Sequence, residues 1–371
     1  MLLLIISRRN LFAYLLVIIA LIGFTMVGRT VYLSVSAESN QLDSETTAFI
    51  NEAMAARYMA LIDGQTEALK AYFRMDTNVG RYAYEHQVNR INYLNVWAKR
   101  QGVQWKETAF NLVIRRVNHH ANSVTLNVAV YTKYSYAYID DPESVNSFKI
   151  GTYHTMDILL RGDVPVIQKE WYSDPFADTF DTKQDMESLT KVISAGKPKV
   201  LTELNKRREG AVAYAKAFAG QSLDVSDRFV YNKKYRNYNY AGGDCTNFIS
   251  QVLHEGGKFP MNATWRYQKG GSSAWVNANA FKNYLLYSNR GSLIAKGTYA
   301  KVLKASYQLL PGDIISYCEK GKVAHNAVVT GFDSKGYPMI NCHDADRYNV
   351  PWDLGWNEPG ITFYLIRVHY E

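Results

Sequence analysis

The chain has 371 residues, 47% of them apolar and 20% charged, which allows two or three domains with real cores and excludes wholesale disorder. Three cysteines without a Cys-x-x-Cys pair exclude a disulfide scaffold, a thioredoxin-type redox site and a zinc ribbon. A net charge of +8 suits a polyanionic partner (nucleic acid, anionic lipid or wall polymer) or solubility alone, and no dense Lys/Arg block decides among them.

The first element is Leu11 to Val27, about 17 uncharged residues behind Arg8-Arg9-Asn10. This length lies between a signal-peptide core and a membrane span, and the leading arginines orient the remainder outward. Val35-Ser36-Ala37 resembles a cleavage site. Residues 1–37 therefore read as a signal peptide or a single-pass anchor, which would hold the protein at the membrane if uncut. Helical character follows over 42–100 and stops at Gly102. Ala109 to Val117, Ser123 to Tyr134, Ile150 to Leu160 and Val166 to Tyr172 are rich in Val, Ile, Thr and Tyr and predict an antiparallel meander. Residues 38–175 thus form an α+β domain, of cystatin or NTF2-like plan. His119-His120 reads as a turn, because neighbours on a strand face opposite sides and do not share a metal easily. Residues 176–204 are polar, with Gly-Lys-Pro punctuation, and predict a linker. Helical character returns from about Val200 to Gly220.

Chemistry concentrates in Gly242-Gly243-Asp244-Cys245-Thr246-Asn247-Phe248-Ile249-Ser250-Gln251. The glycines mark a tight turn, Asp244 suits a helix N-cap, and Phe248, Ile249, Val252 and Leu253 give a helix face. Cys245 then sits in a first turn, where free N–H groups and the helix dipole favour a thiolate and can bind an oxyanion. The alternative is a small buried apolar residue. A base is available in His325, at the start of a predicted strand Val323 to Gly331. Asn341 and His343 share a face of the next strand, and either could orient the imidazole as the polar member of a triad. Cys318 and Cys342 read as buried thiols. A metal site combining His343 and Asp346 with Cys245 and His325 has no recognised zinc spacing. Trp265, Trp275, Trp352 and Trp356 suit either core packing or stacking on a substrate.

These motifs, with Ser273-Ala274-Trp275, Gly312-Asp313-Ile314-Ile315, His325-Asn326-Ala327-Val328-Val329-Thr330-Gly331 and His343-Asp344-Ala345-Asp346-Arg347, resemble the "putative amidase domain" of bacterial extracytoplasmic proteins. That family is similar in plan to papain-like NlpC/P60 and CHAP cysteine peptidases. The resemblance covers roughly residues 205–358 and leaves 38–200 unassigned. It implies Cys245 as nucleophile, His325 as base and His343, ahead of Asn341, as third residue. It also implies an oxyanion side chain just before the cysteine, Asn239 or Tyr240, with Asp244 and Trp275 beside the substrate.

The sequence therefore predicts an α+β protein whose residues 205–371 form a papain-like cysteine hydrolase domain. The activity implied is amide hydrolysis, in peptidoglycan or a wall peptide, outside the cytoplasm, with no metal or organic cofactor and no nucleic acid. The alternatives are an inactive wall-binding module that keeps the fold, and an acyl transferase using the same triad.

Overall fold

The computed structural model describes residues 33–35, 42–160, 164–176, 179–201, 203–219 and 230–371. The signal or anchor reading of residues 1–37 falls almost entirely outside them. Among the described residues no helix is long and apolar enough to cross a membrane.

After a short strand β1 (Leu33–Val35), helix α1 (Ser44–Asp63) starts where Asp43 accepts the Thr46 N–H at 2.7 Å and stops at Gly64, whose φ of 77° breaks the helical path. A 3-10 turn (Thr66–Tyr72) leads to α2 (Asn78–Gln101), capped by Thr77 and ended by Gly102 at φ 68°. Along α2, Ala83, Gln87, Arg90, Ile91, Leu94, Trp97, Ala98 and Gln101 are buried, the spacing of one helix face laid on a sheet.

That sheet begins with three long antiparallel strands, β2 (Val103–His119), β3 (Ser123–Tyr138) and β4 (Asp141–Leu159), followed by β5 (Val166–Tyr172). The four predicted runs lie in strands, save Leu160, which follows the end of β4. β4 begins nine residues earlier than its apolar pattern suggests, because β3 supplies ladder partners to a polar segment that alone reads as loop. The stretch assigned as linker is instead docked: α3 (Met186–Ser194) buries Leu189 and Ile193 against α2.

Helix α4 (Lys206–Ala219) opens the second half. There follow α5 (Cys245–Gln251), which runs on through a π turn (Val252–Gly256), then α6 (Ser273–Val276), α7 (Ala278–Tyr287), β6 (Gly291–Gly297) and α8 (Tyr299–Ser306). The chain closes with β7 (Ile314–Glu319), β8 (Lys322–Phe332), β9 (Pro338–Cys342), β10 (Asp346–Pro351) and β11 (Thr362–Val368). The fold class is α+β, as the sequence predicts.

The two halves share one sheet, in the order β1-β2-β3-β4-β10-β9-β8-β7-β11-β6. The junction is antiparallel pairing of Asp346, Arg347 and Tyr348 with Gly151, Ile150 and Lys149. β4 thus divides its free edge between β10 and β5. One apolar core runs across the joint, from Phe49 and Trp97 to Trp352 and Leu365. A second core, around Phe248, Trp265, Trp275 and Phe281, supports α5 from behind.

Candidate active site

Two left-handed glycines, Gly242 (φ 104°) and Gly243 (φ 108°), turn the chain into α5 and set Cys245 in its first turn. Asp244 holds the N-cap position but does not cap. Its carboxylate accepts the Tyr238 N–H and Asn247 Nδ2, both at 2.9 Å, through one oxygen and His343 Nδ1 at 2.7 Å through the other. The sequence reading of Asp244 as a cap is thereby corrected: His343 outcompetes the helix end, and the first-turn N–H groups stay free of a side-chain cap.

Cys245 Sγ, a ring nitrogen of His325 and a carboxylate oxygen of Asp344 lie within 4.8 Å of one another. His325 comes from β8, opposite Tyr317 of β7. Its neighbour Asn326 donates Nδ2 to Thr246 Oγ1 at 3.0 Å, which fastens β8 to the start of α5. Asp344 comes from the turn between β9 and β10, where Asp344 (φ 71°) and Ala345 (φ 59°) are both left-handed. This is a costly conformation for residues with a Cβ, and it swings Asp344 toward the cysteine. Gly243 admits the close approach, since a Cβ there would lie 2.3 Å from Asp344 Oδ2.

Cys245 is 5% exposed and His325 4%. Burial pushes the Cys245 thiol up to about 11. The Thr246 hydroxyl, 3.6 Å from Sγ, and the N–H groups of Asn326 and Thr246 pull the other way, and the Asp344 carboxylate adds to the rise. Burial, helped by the Arg347 guanidinium, pushes the His325 imidazole down to about 3. The resting pair is therefore a neutral thiol facing a neutral imidazole, and the thiolate expected from the helix dipole gives way to desolvation. Among the described residues His325 Nε2 has no hydrogen-bond partner. The ring is held by packing, 5.2 Å from Trp356 and 5.4 Å from Tyr317 between centroids.

The remaining candidates fall elsewhere. His343 directs Nδ1 to Asp244 and Nε2 to the Phe218 carbonyl at 3.0 Å, and its ring stacks on Phe248. Both nitrogens are thus committed away from His325. Asn341 is spent on Thr330, the Asn349 N–H and the Ala215 carbonyl. Asn239 donates to Tyr231 OH at 3.0 Å, and Tyr240 is 97% exposed. Trp275 is wholly buried, its ring tilted against Trp265 and its Nε1 donating to Asn247 Oδ1 at 2.9 Å, so it packs the core instead of a substrate. Trp265 and Trp352 are equally buried, and Trp356 alone of the four adjoins His325. Cys318 and Cys342 are free and buried, as is Cys245. Asp344 was missed, although it stood inside the quoted His-Asp-Ala-Asp-Arg string; periodicity carries no signal for a left-handed non-glycine turn.

A thiol, an imidazole and a carboxylate thus cluster at a helix start on an α+β scaffold. The same three donors are also of the types that bind zinc. Residues 205–366 match the family described as "putative amidase domain", the family that the sequence motifs resemble. Two proteins of Bacillus subtilis (strain 168) are similar to the chain: the uncharacterized protein YhbB, 30% identical over 175 residues, and the uncharacterized protein YjcM, 29% identical over 202 residues. The matches cover 44% and 50% of this chain, and the chain spans about half the length of these curated relatives, 48% and 44%. A solved structure, the intermembrane space region of the chloroplast protein ARC6, aligns with 36% of this chain and 97% of its own at 10% identity, with a TM-score of 0.27 that is too low to assign a fold.

Proposed function

We propose that the protein is a cysteine-dependent amidohydrolase, with Cys245 as nucleophile, His325 as base and Asp344, in place of His343 or Asn341, as the third member. The observation that carries this reading is the convergence of the three groups within 4.8 Å at the first turn of α5. Sγ attacks the carbonyl carbon as its proton passes to the His325 ring nitrogen that lies within 4.8 Å of it. The tetrahedral oxyanion is stabilised by N–H groups at the uncapped start of α5. The C–N bond then breaks, His325 returns the proton to the departing amine, and water activated by the same ring hydrolyses the thioester. Asp344 stabilises the imidazolium that forms in between. Because the resting pair is neutral, proton transfer accompanies attack instead of preceding it.

In this reading residues 205–371 work as a papain-like hydrolase domain, with the helix bearing the nucleophile packed on an antiparallel sheet. The substrate class is a peptide or lactoyl amide of peptidoglycan, outside the cytoplasm. The apolar run behind Arg8-Arg9 and the charge of +8, which suits an anionic wall, support that assignment. The test is amine release from purified sacculi by the parent chain and by Cys245→Ala and His325→Ala. Loss of about 10²-fold or more in each variant is expected. Release equal to that of the parent in both would refute hydrolysis at this site. Product analysis with added amine acceptors separates a hydrolase from an acyl transferase.

A further inference from the structure

The loop 352–357 touches His325 from one side and the N-terminal half of the chain from the other. Trp356 lies against the imidazole, its ring tilted by 30°. Trp356 and His325 both flank Tyr317, whose hydroxyl donates to the Trp352 carbonyl at 2.6 Å. With Nε2 unpartnered, the position of the His325 ring depends on these neighbours, and hence on the loop.

The loop is fixed from several sides: Tyr337 OH donates to Asp353 Oδ1 at 2.6 Å and Arg347 Nη1 to the Leu354 carbonyl at 2.8 Å, and α2 supplies a separate set of bonds. Tyr93 OH accepts the Gly355 N–H at 3.0 Å and Asn357 Nδ2 at 3.2 Å. Trp97 Nε1 donates to Asp353 Oδ2 at 3.1 Å. Arg100, wholly buried, pairs with Asp353 and donates to Asn357 Oδ1 at 2.6 Å. These three residues lie three or four apart and so share one helix face. The segment after β5 adds the Pro175 carbonyl, which accepts Arg347 Nη2 at 2.5 Å and leaves no room for a Cβ at Gly355 (2.3 Å).

We infer that Tyr93, Trp97 and Arg100 are positioning residues for His325: α2 of the N-terminal half sets the loop whose Trp356 holds the imidazole toward Cys245. The inference rests on the cysteine–histidine reading above. It gives residues 42–175 a task in the reaction, so that the domain defined by the amidase motifs is completed by a helix more than a hundred residues upstream.

The experiment uses the full chain carrying Tyr93→Phe, which deletes one hydroxyl and leaves the ring. Tyr58→Phe serves as a control: it removes a buried hydroxyl in the same half that is bonded to Thr132 and not to the loop. Two signals are read: the His325 ring resonances in histidine-labelled protein, assigned through His325→Ala, and amine release from sacculi. In Tyr93→Phe the His325 resonances should move in the same direction as in Trp356→Leu, as the indole loses its place over the ring. kcat should fall about tenfold with KM nearly unchanged, a fraction of a full general-base contribution. Tyr58→Phe should show neither change. If Tyr93→Phe does not fold, Trp97→Phe, which removes the bond to Asp353, carries the same expectation. His325 resonances in Tyr93→Phe that coincide with those of the parent would overturn the inference. Full activity in His325→Ala would instead overturn the catalytic reading, and with it the role assigned to the loop.

Discussion

Gly242 and Gly243 offer a paired experiment on the site. Their φ values are 104° and 108°, so alanine at either position bears a similar backbone penalty, about 1–2 kcal/mol. They differ in what a Cβ would meet. At Gly242 there is nothing within 4 Å, whereas at Gly243 the Asp344 carboxylate oxygen lies 2.3 Å away. Relieving that contact displaces Asp344 by about 1 Å, a misplacement that in a catalytic constellation costs up to ~10²-fold. Asp344 sits on an exposed turn and can give way, so the clash should tell more on rate than on stability. The assays are urea unfolding and amine release from sacculi. Both variants should lose about 1–2 kcal/mol of stability, while Gly243→Ala falls at least tenfold below Gly242→Ala in kcat. Equal kcat in the two variants would refute the claim that Asp344 works from its observed position.

Acid and alkali should each unfold the site by a separate group. His325 is held near 3 against an ordinary 6.5, so its contribution to stability is full above about 6.5 and is lost as pH falls toward 3; His325→Gln should flatten that limb in thermal unfolding. Cys245 is held near 11 against 9, so its contribution is full below about 9 and is lost from 9 to 11, a limb that Cys245→Ala should remove. Asp353→Ala strands the buried Arg100 guanidinium and should cost about 3–5 kcal/mol in urea, with tryptophan fluorescence and circular dichroism still reporting one shared transition because the core crosses the joint. Amine release should survive EDTA; loss in EDTA with recovery in zinc would instead mark Cys245, His325 and Asp344 as a metal centre.

The parts of this structure written in periodicity and capping were legible. Cys245 in a first helical turn after a Gly-Gly turn, and His325 on a strand, follow from local pattern; that the strand could face the helix is an expectation periodicity alone does not give. The four strand runs of the N-terminal half follow from pattern as well. The join between β4 and β10 was not legible, because Lys149, Ile150 and Gly151 pair with residues almost two hundred positions away and strand pairing leaves no local mark. The third member of the cluster was missed for a related reason. Face-sharing on β9 pointed to Asn341 and His343, but the strand ends at Cys342, and two left-handed residues then reverse the chain and bring Asp344 forward. The thiol's protonation state also escaped the sequence, since the dipole argument is local while desolvation depends on everything packed around Cys245. Trp275 shows the limit of composition: the same residue stacks on a substrate or fills a core, and only the fold decides.

In the proposed mechanism Cys245 forms a covalent acyl intermediate. Acid quench of the full chain during turnover on wall peptide, followed by peptide mapping, tests it most directly. An acyl mass is expected on the peptide containing Cys245, present in the parent and absent from Cys245→Ala. Sustained amide cleavage by Cys245→Ala, with no acyl mass on that peptide in the parent, would contradict it.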